Sequence, residues 1–317
     1  MLTVEDTLED EHYDEFGLLH ENAAELGLPW TDRPAVRRQE VDVEPGRALS
    51  MIVWGDADAE IVFLHGGGQN AHTWDYVALA LGRPVVCVDL PGHGRSYRRP
   101  DRNYGPWRNT EALATVLPRV APGALAVVGM SLGGATTIHL AASHPDLCRR
   151  EVIVDVTPQI NDSARELTTQ ERGTVALVGQ DPVYASFEEM ASAAVALSPF
   201  RAASGVRRGV RHNAIRQADG SWRWRYDLFG PRGDGADDPG TWADFTSLWD
   251  DVERTTVPAM FVRGGLSKFN TDDDVAEMQR RLPFLRVEKV DGAGHAVQSD
   301  QPLELVRLIR DFVYGQH

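Results

Sequence analysis

The sequence predicts an α/β fold, a mostly parallel eight-stranded sheet flanked by helices and interrupted late in the chain by a helical insertion. Three observations carry this expectation. Short apolar runs bounded by turn residues recur at strand length, helical patterns alternate with the later ones, and the alternation stops between Pro158 and about Thr256. With 317 residues, 42% of them hydrophobic, the chain can bury a large core and still carry an insertion.

Taken in order, the elements begin with an acidic extension over residues 1–37. Ten acidic residues and no Lys or Arg fall in the first 32 positions, including Glu9, Asp10 and Glu11. A solvated run is expected there, followed by a short helix around Tyr13 to Leu26 that docks on the body. Strands are expected near 38–45, 49–54, 60–65, 84–89, 124–130, 151–156, 258–264 and 285–290, and a last amphipathic helix from Leu303 to Val313. The core is then residues 38–157 and 257–317. The insertion, 158–256, has helical character at 163–179 and 186–197, a turn at Asp219 and Gly220, and a Gly/Asp/Pro-rich loop from Gly230 to Gly240.

Chemistry concentrates at three places. The run Val127 to Gly134 ends an apolar strand in G-x-S-x-G and passes straight into a helical pattern. In that motif a serine sits on a strained strand-to-helix turn. Side chains two before and two after it would collide with neighbouring backbone, so Ser131 is presented as a nucleophile. Ile61 to Leu64 is followed by His65, Gly66, Gly67 and Gly68, about 65 residues before the serine. Consecutive glycines let backbone N–H groups approach a developing oxyanion, and Gly67 and Leu132 are the expected donors. His295, after the last predicted strand, is the candidate base. His139 and His144, on the helix after Ser131, read as structural.

These markers, with the turn Asp89 to Ser96 and Gly292 to His295, stand in the order and at the spacing of the α/β-hydrolase superfamily. From about residue 38 to 315 the chain resembles that family. The resemblance implies a capped serine hydrolase, with His93 as a structural histidine and residues 158–256 as a cap over Ser131. One position departs from the pattern. The loop after the strand at 258–264 carries Lys268 where most relatives hold the triad acid, and a cation there opposes the imidazolium formed in catalysis. Asp155, at the end of the strand after the nucleophile helix, is the first choice for the acid. Asp272, Asp273 and Asp274 are the alternative, though they also read as the acidic first turn of a helix.

For the substrate, Trp74, Met130, Trp222 and Trp224 are the candidate contacts. Met190, Phe200, Trp242, Phe245 and Trp249 either join them around an apolar pocket or pack as ordinary core. Arg201, Arg207, Arg208, Arg211, Arg216, Arg223 and Arg225 are balanced within the insertion's middle only by Asp219. They either bind a substrate carboxylate or form a face paired with the acidic N-terminus. The expected reaction is hydrolysis of a small, largely apolar ester or lactone through an acyl-enzyme. Carbon–carbon bond hydrolysis, perhydrolysis and acyl transfer use the same constellation, and a non-catalytic small-molecule receptor is a reading from another class. This chemistry requires no metal or organic cofactor. A net charge of −15 disfavours nucleic acid and anionic membranes as partners. The acidic N-terminus and the lack of a long apolar stretch point to a cytoplasmic protein, and Cys87 and Cys148 read as buried free thiols. Composition and motifs leave the oligomeric state open.

Overall fold

A computed structural model describes residues 13–178 (161–163 as backbone only), 182–227 and 244–315, with the backbone of Thr7 and Leu8. In chain order its elements are β1 (Thr7–Leu8), α1 (Leu19–Glu25), β2 (Val36–Glu44), β3 (Arg47–Trp54), β4 (Ile61–Leu64), α2 (Asp75–Leu81), β5 (Val85–Val88), α3 (Pro106–Val120), β6 (Ala126–Met130), α4 (Leu132–Ser143) and β7 (Glu151–Val154). There follow α5 (Ile160–Glu166), α6 (Thr169–Arg172), α7 (Phe187–Ala196), α8 (Ala203–Asn213), β8 (Ala214–Gln217), β9 (Trp222–Trp224), α9 (Leu248–Arg254), β10 (Ala259–Gly264), α10 (Asp272–Arg281), β11 (Arg286–Val290), α11 (Val297–Asp300) and α12 (Pro302–Tyr314).

All eight expected strands form one sheet, ordered β11-β10-β7-β6-β4-β5-β3-β2. Pairing from β5 through β11 is parallel, and β2–β3 and β3–β5 are antiparallel. Strands β4, β5, β6 and β7 are buried at every residue, because helices cover both faces of a parallel sheet. One face packs Leu113 and Val116 of α3, Ile138 of α4, Val252 of α9 and Met278 of α10. The other packs Leu19 of α1, Val77 and Leu81 of α2, and Leu305 and Ile309 of α12. Cys87 and Cys148 are free and buried in these layers, and burial pushes both thiols well above their ordinary range. No helix among the described residues is long and apolar enough to cross a membrane.

Between α5 and α9 the chain leaves the sheet and builds its own small core. Tyr184, Met190, Ala194, Val206 and Val210 pack between α7, α8 and the β8–β9 hairpin. The hairpin turns at Gly220, whose φ of +88 suits glycine. Helix α8 and strand β1 were absent from the sequence expectation. Of the residues that α8 buries only Val206 and Val210 are apolar, the others being Arg208, His212 and Asn213, and Gly205, Gly209 and three arginines dilute the helical signal. β1 adds an antiparallel strand to β8, with Thr7 opposite Gln217 and Leu8 opposite Arg216. The acidic run at Glu9 to Glu11 and the loop from Gly230 to Gly240 lie outside the described residues.

A buried acid sits at the start of the central strand β7. Glu151 is fully buried, and one carboxyl oxygen, Oε2, has no partner. Burial pushes its carboxyl from an ordinary 4.5 up to about 8 against a lowering hydrogen bond from Thr255. The folded protein therefore holds a proton that the unfolded chain releases above its own pKa. The contribution of Glu151 to stability falls as pH rises from about 4.5 to about 8. We expect Glu151→Gln to remove this slope, stabilising the protein by about 4 kcal/mol at pH 8 and by almost nothing at pH 4.5. Denaturant titrations of both proteins at the two pH values check this.

Candidate active site

The strand-to-helix turn after β6 sets the site. Ser131 has φ 51 and ψ −117, a strained backbone for a non-glycine residue. Its N–H donates to Val154 O at 3.0 Å and its carbonyl accepts from Ala135 N at 2.9 Å, so the strain is held from both sides. A Cβ on Gly129 would overlap the Gly133 carbonyl, and one on Gly133 would overlap that of Leu64. Both motif glycines are therefore required by close backbone approach.

The loop after β4 lies against this turn. A Cβ on Gly66 would come within 3.3 Å of Ser131 Cβ. Gly66 N–H donates to Gln69 Oε1 and Gly68 N–H to His93 Nε2, both at 3.1 Å. The Gly67 amide between them, and the Leu132 amide in the first turn of α4, have no acceptor among the described residues. His93 is fully enclosed, and burial, reinforced by His65, pushes it down to about 3. Its Nδ1 donates to Pro91 O at 3.0 Å, which leaves Nε2 free to accept. The same turn is anchored by Asp89, which accepts from Ala71 N, Arg95 N and the Arg38 guanidinium.

On the other side, Asp155 ends β7 with φ 53. Its Oδ2 lies 2.7 Å from His295 Nδ1 and accepts from Ser267 Oγ at 2.5 Å, and its Oδ1 accepts from Gly264 N at 2.9 Å. The carboxylate is thus satisfied by three donors in a fully buried position. Phe269 stacks on the His295 ring, centroids 4.0 Å apart. Gly294 N donates to Asp300 Oδ2 at 2.8 Å, fixing the loop that carries the histidine. Lys268 points elsewhere, its Nζ 2.8 Å from Glu171 Oε1 in α6. Asp272 is solvent-exposed and paired with Arg263, and Asp274 closes a capping box with Thr271. The acidic triplet is a helix start, as its second reading had it. Ser267 was missed by sequence reasoning; its only signal is its place in the loop that carries the acid in most relatives.

A cavity of about 540 Å³ runs from Gly67 and Gly68 beneath α8 to α1 and the start of α12. The Ser131 and His295 side chains are not on its wall. Of the expected substrate contacts only Trp224 lines it, beside Tyr226. Trp74 is fully buried against Phe63, because the turn leading into α2 directs it back onto the sheet. Met130 belongs to that same core layer. Trp222 stands two residues nearer the hairpin turn than Trp224, about 7 Å farther along, and packs on Phe187. Met190 fills the insertion's core, Phe245 packs on Trp107, and Trp249 lies under Arg281. Phe200 is exposed at the cavity mouth with Leu303. Trp242 lies outside the described residues.

The arginines on the cavity wall have protein partners. Arg208 bonds Glu21 and Glu25 of α1 at 2.7 and 2.6 Å, and Arg201 lies 3.3 Å from Asp300. Arg207 pairs with Glu188, and Arg211 lies over the rings of Tyr13 and Phe187. His139 bonds Asp251 of α9 and His144 its neighbour Ser143, both structural contacts. Among the described residues, one group, His72, Asp75 and His212, has metal-ligand atoms close together. His72 already bonds Asp75 Oδ2 at 2.8 Å and Glu15 Oε1 at 3.1 Å, and Tyr13 bonds His212 at 2.5 Å. The two imidazoles stack 3.8 Å apart and 11° from parallel, so their lone pairs lie in parallel planes and do not converge. Burial opposes the charge on His72, but Asp75 and Glu15 raise its pKa to about 9. The group is a buried ion network with Arg38 at its edge.

A family model, described as the alpha/beta hydrolase family, matches residues 61–308. The chain belongs to the alpha/beta hydrolase family. Within it, esterase Rv0045c of Mycobacterium tuberculosis is 48% identical over 298 residues, 94% of this chain and 95% of that protein. A crystal structure of that esterase superposes with a TM-score of 0.80 at 44% identity, covering 95% of this chain and 98% of the other. The sn-1-specific diacylglycerol lipase ABHD11 of Mus musculus is 27% identical over 282 residues, 87% of this chain and 88% of that protein. The structure of E-2-(acetamidomethylene)succinate hydrolase, at 22% identity and a TM-score of 0.72, shares the alpha/beta hydrolase fold over 88% of this chain and 99% of that one.

Proposed function

We propose that this alpha/beta hydrolase is a serine esterase, cleaving a small, largely apolar carboxylic ester or lactone. The observation that carries the reading is the 2.7 Å contact between His295 Nδ1 and Asp155 Oδ2, made beside a serine on a strained nucleophile turn. The 48% identical relative from Mycobacterium tuberculosis, named an esterase, supports the same class. His295 takes the proton of Ser131 as Oγ attacks the carbonyl carbon. The Gly67 and Leu132 amides receive the oxyanion. His295 then protonates the leaving alcohol and activates water against the acyl-enzyme, while Asp155 holds the imidazole in the Nδ1–H tautomer. Residues 158–256 act as the cap, and Trp224, Tyr226 and Val178 border the substrate in the cavity beneath it.

The receptor reading rested on Lys268, and that residue's partner is Glu171. With both wall arginines ion-paired inside the protein, the cavity favours neutral substrates over anionic ones. Labelling with a fluorophosphonate tests the nucleophile. We expect intact-mass spectra of the wild type to gain one phosphonyl group, mapped to Ser131, with loss of p-nitrophenyl ester hydrolysis in proportion. A labelled residue other than Ser131, or full activity after labelling, would overturn the proposal.

A further inference from the structure

Gly68 is clamped at both of its backbone polar groups. Its N–H donates to His93 Nε2, and its carbonyl accepts from Asn213 Nδ2 at 2.7 Å. Asn213 closes α8, so this second contact comes from the insertion and not from the sheet. The orientation of its amide is fixed by its neighbours. Asn70 Nδ2 donates to Asn213 Oδ1 at 3.3 Å and to His212 O at 3.0 Å, which turns Asn213 Nδ2 toward the glycine carbonyl. The Asn213 backbone is itself held, its carbonyl accepting from Arg225 N at 2.7 Å. Gly68 has φ +72, and a Cβ there would collide with Val178, so the insertion packs directly on this turn. The unpartnered Gly67 N–H lies in the 66–67 peptide, joined to the peptide whose carbonyl Asn213 holds through the single 67–68 peptide whose N–H is held by His93.

We infer that Asn213 is a positioning residue for the oxyanion hole, aiming the Gly67 amide through its grip on the Gly68 carbonyl. Packing of the insertion and completion of the hole are then coupled, because the residue that fixes the loop belongs to α8. This rests on the serine-esterase reading above. An oxyanion donor is effective only within a few tenths of an ångström of its required place, and losing one outright costs about 10²–10³ in kcat. A misaimed donor costs a fraction of that, and it costs nothing in ground-state binding.

The test compares wild type with Asn213→Ala and Asn213→Asp in p-nitrophenyl ester hydrolysis, and in inhibition by an aryl trifluoromethyl ketone and its methyl ketone counterpart. The fluorinated ketone accepts the serine oxygen at carbon and places an oxyanion in the hole, with the serine proton on the histidine, whereas the methyl ketone binds without adding. We expect kcat to fall by about 10–100-fold in both variants and trifluoromethyl ketone affinity to fall by the same factor. KM and methyl ketone affinity should stay within about twofold. The aspartate has the volume of the asparagine but no donor, so it should fail as the alanine does. Unchanged kcat, or a raised KM with kcat preserved, would make Asn213 a wall of the pocket and overturn the inference. If Asn213→Ala does not fold, Asn213→Asp reads the same quantities; if neither folds, the residue is structural and the inference fails. Failure of the esterase reading is distinguishable, because wild type alone would then show neither turnover nor labelling.

Discussion

Replacing Ser131 with alanine is expected to lower kcat/KM for a p-nitrophenyl ester by about 10⁵–10⁶-fold, with thermal unfolding shifted by no more than a few degrees. The size follows from what the hydroxyl does. In the proposed mechanism its oxygen forms the acyl bond, a step that the alanine side chain cannot perform. The residual rate comes from binding and the oxyanion amides acting on water. The small effect on stability follows from the surroundings: the turn is held by backbone bonds to Val154 and Ala135, neither of which involves the side chain. Alanine does keep the Cβ, and with it the strain at φ 51. Steady-state kinetics together with a melting curve check both halves. A loss of only tenfold would place the nucleophile elsewhere.

Asp155→Asn is expected to reduce kcat by about 10³–10⁴-fold, while Asp272→Asn stays within about twofold of wild type. Asp155 Oδ2 accepts from both His295 and Ser267. An asparagine has one oxygen and one NH₂ group to offer. With Oδ1 kept toward Gly264, the NH₂ faces His295 and demands an acceptor at Nδ1, which puts the imidazole proton on Nε2 and removes the base from the serine. The opposite rotamer leaves the NH₂ against the Gly264 amide, donor against donor, in a fully buried place. Either arrangement costs tautomer or packing. Asp272 faces solvent and, among the described residues, pairs with Arg263, so its neutralisation reaches neither. Equal losses in the two variants would remove Asp155 from the mechanism.

Much of this was legible in the chain before any coordinates, and for identifiable reasons. Strands such as Ile61–Leu64 and Val85–Val88 are continuous apolar runs because both sheet faces are covered, and runs bounded by turn residues are the easiest pattern to read. The G-x-S-x-G glycines are demanded by backbone contacts local to one turn. What sequence reasoning missed depends on distant pairing. Helix α8 is held by its neighbours more than by its own glycine- and arginine-rich composition, and β1 exists through its bonds to β8. Trp74 and Met130 were expected at the substrate and lie in the core, because an aromatic or a methionine near a nucleophile reads alike in either role; only the direction of the side chain separates them. Ser267 lies 112 residues from the carboxylate that it serves.

A flap joined to its body at two points can swing about the line through them, whereas one joined at three cannot. The segment between β7 and β10 has its two covalent connections and several further supports, among them the strand at Thr7 and Leu8 and the α1 carboxylates gripping Arg208. The cavity, with exposed Phe200 and Leu303 on its wall, is therefore steadied in part by β1 and α1, elements that precede the sheet. A purification tag or a truncation ahead of Phe16 alters that support, and kinetic constants measured on differently trimmed versions of this chain describe differently supported pockets.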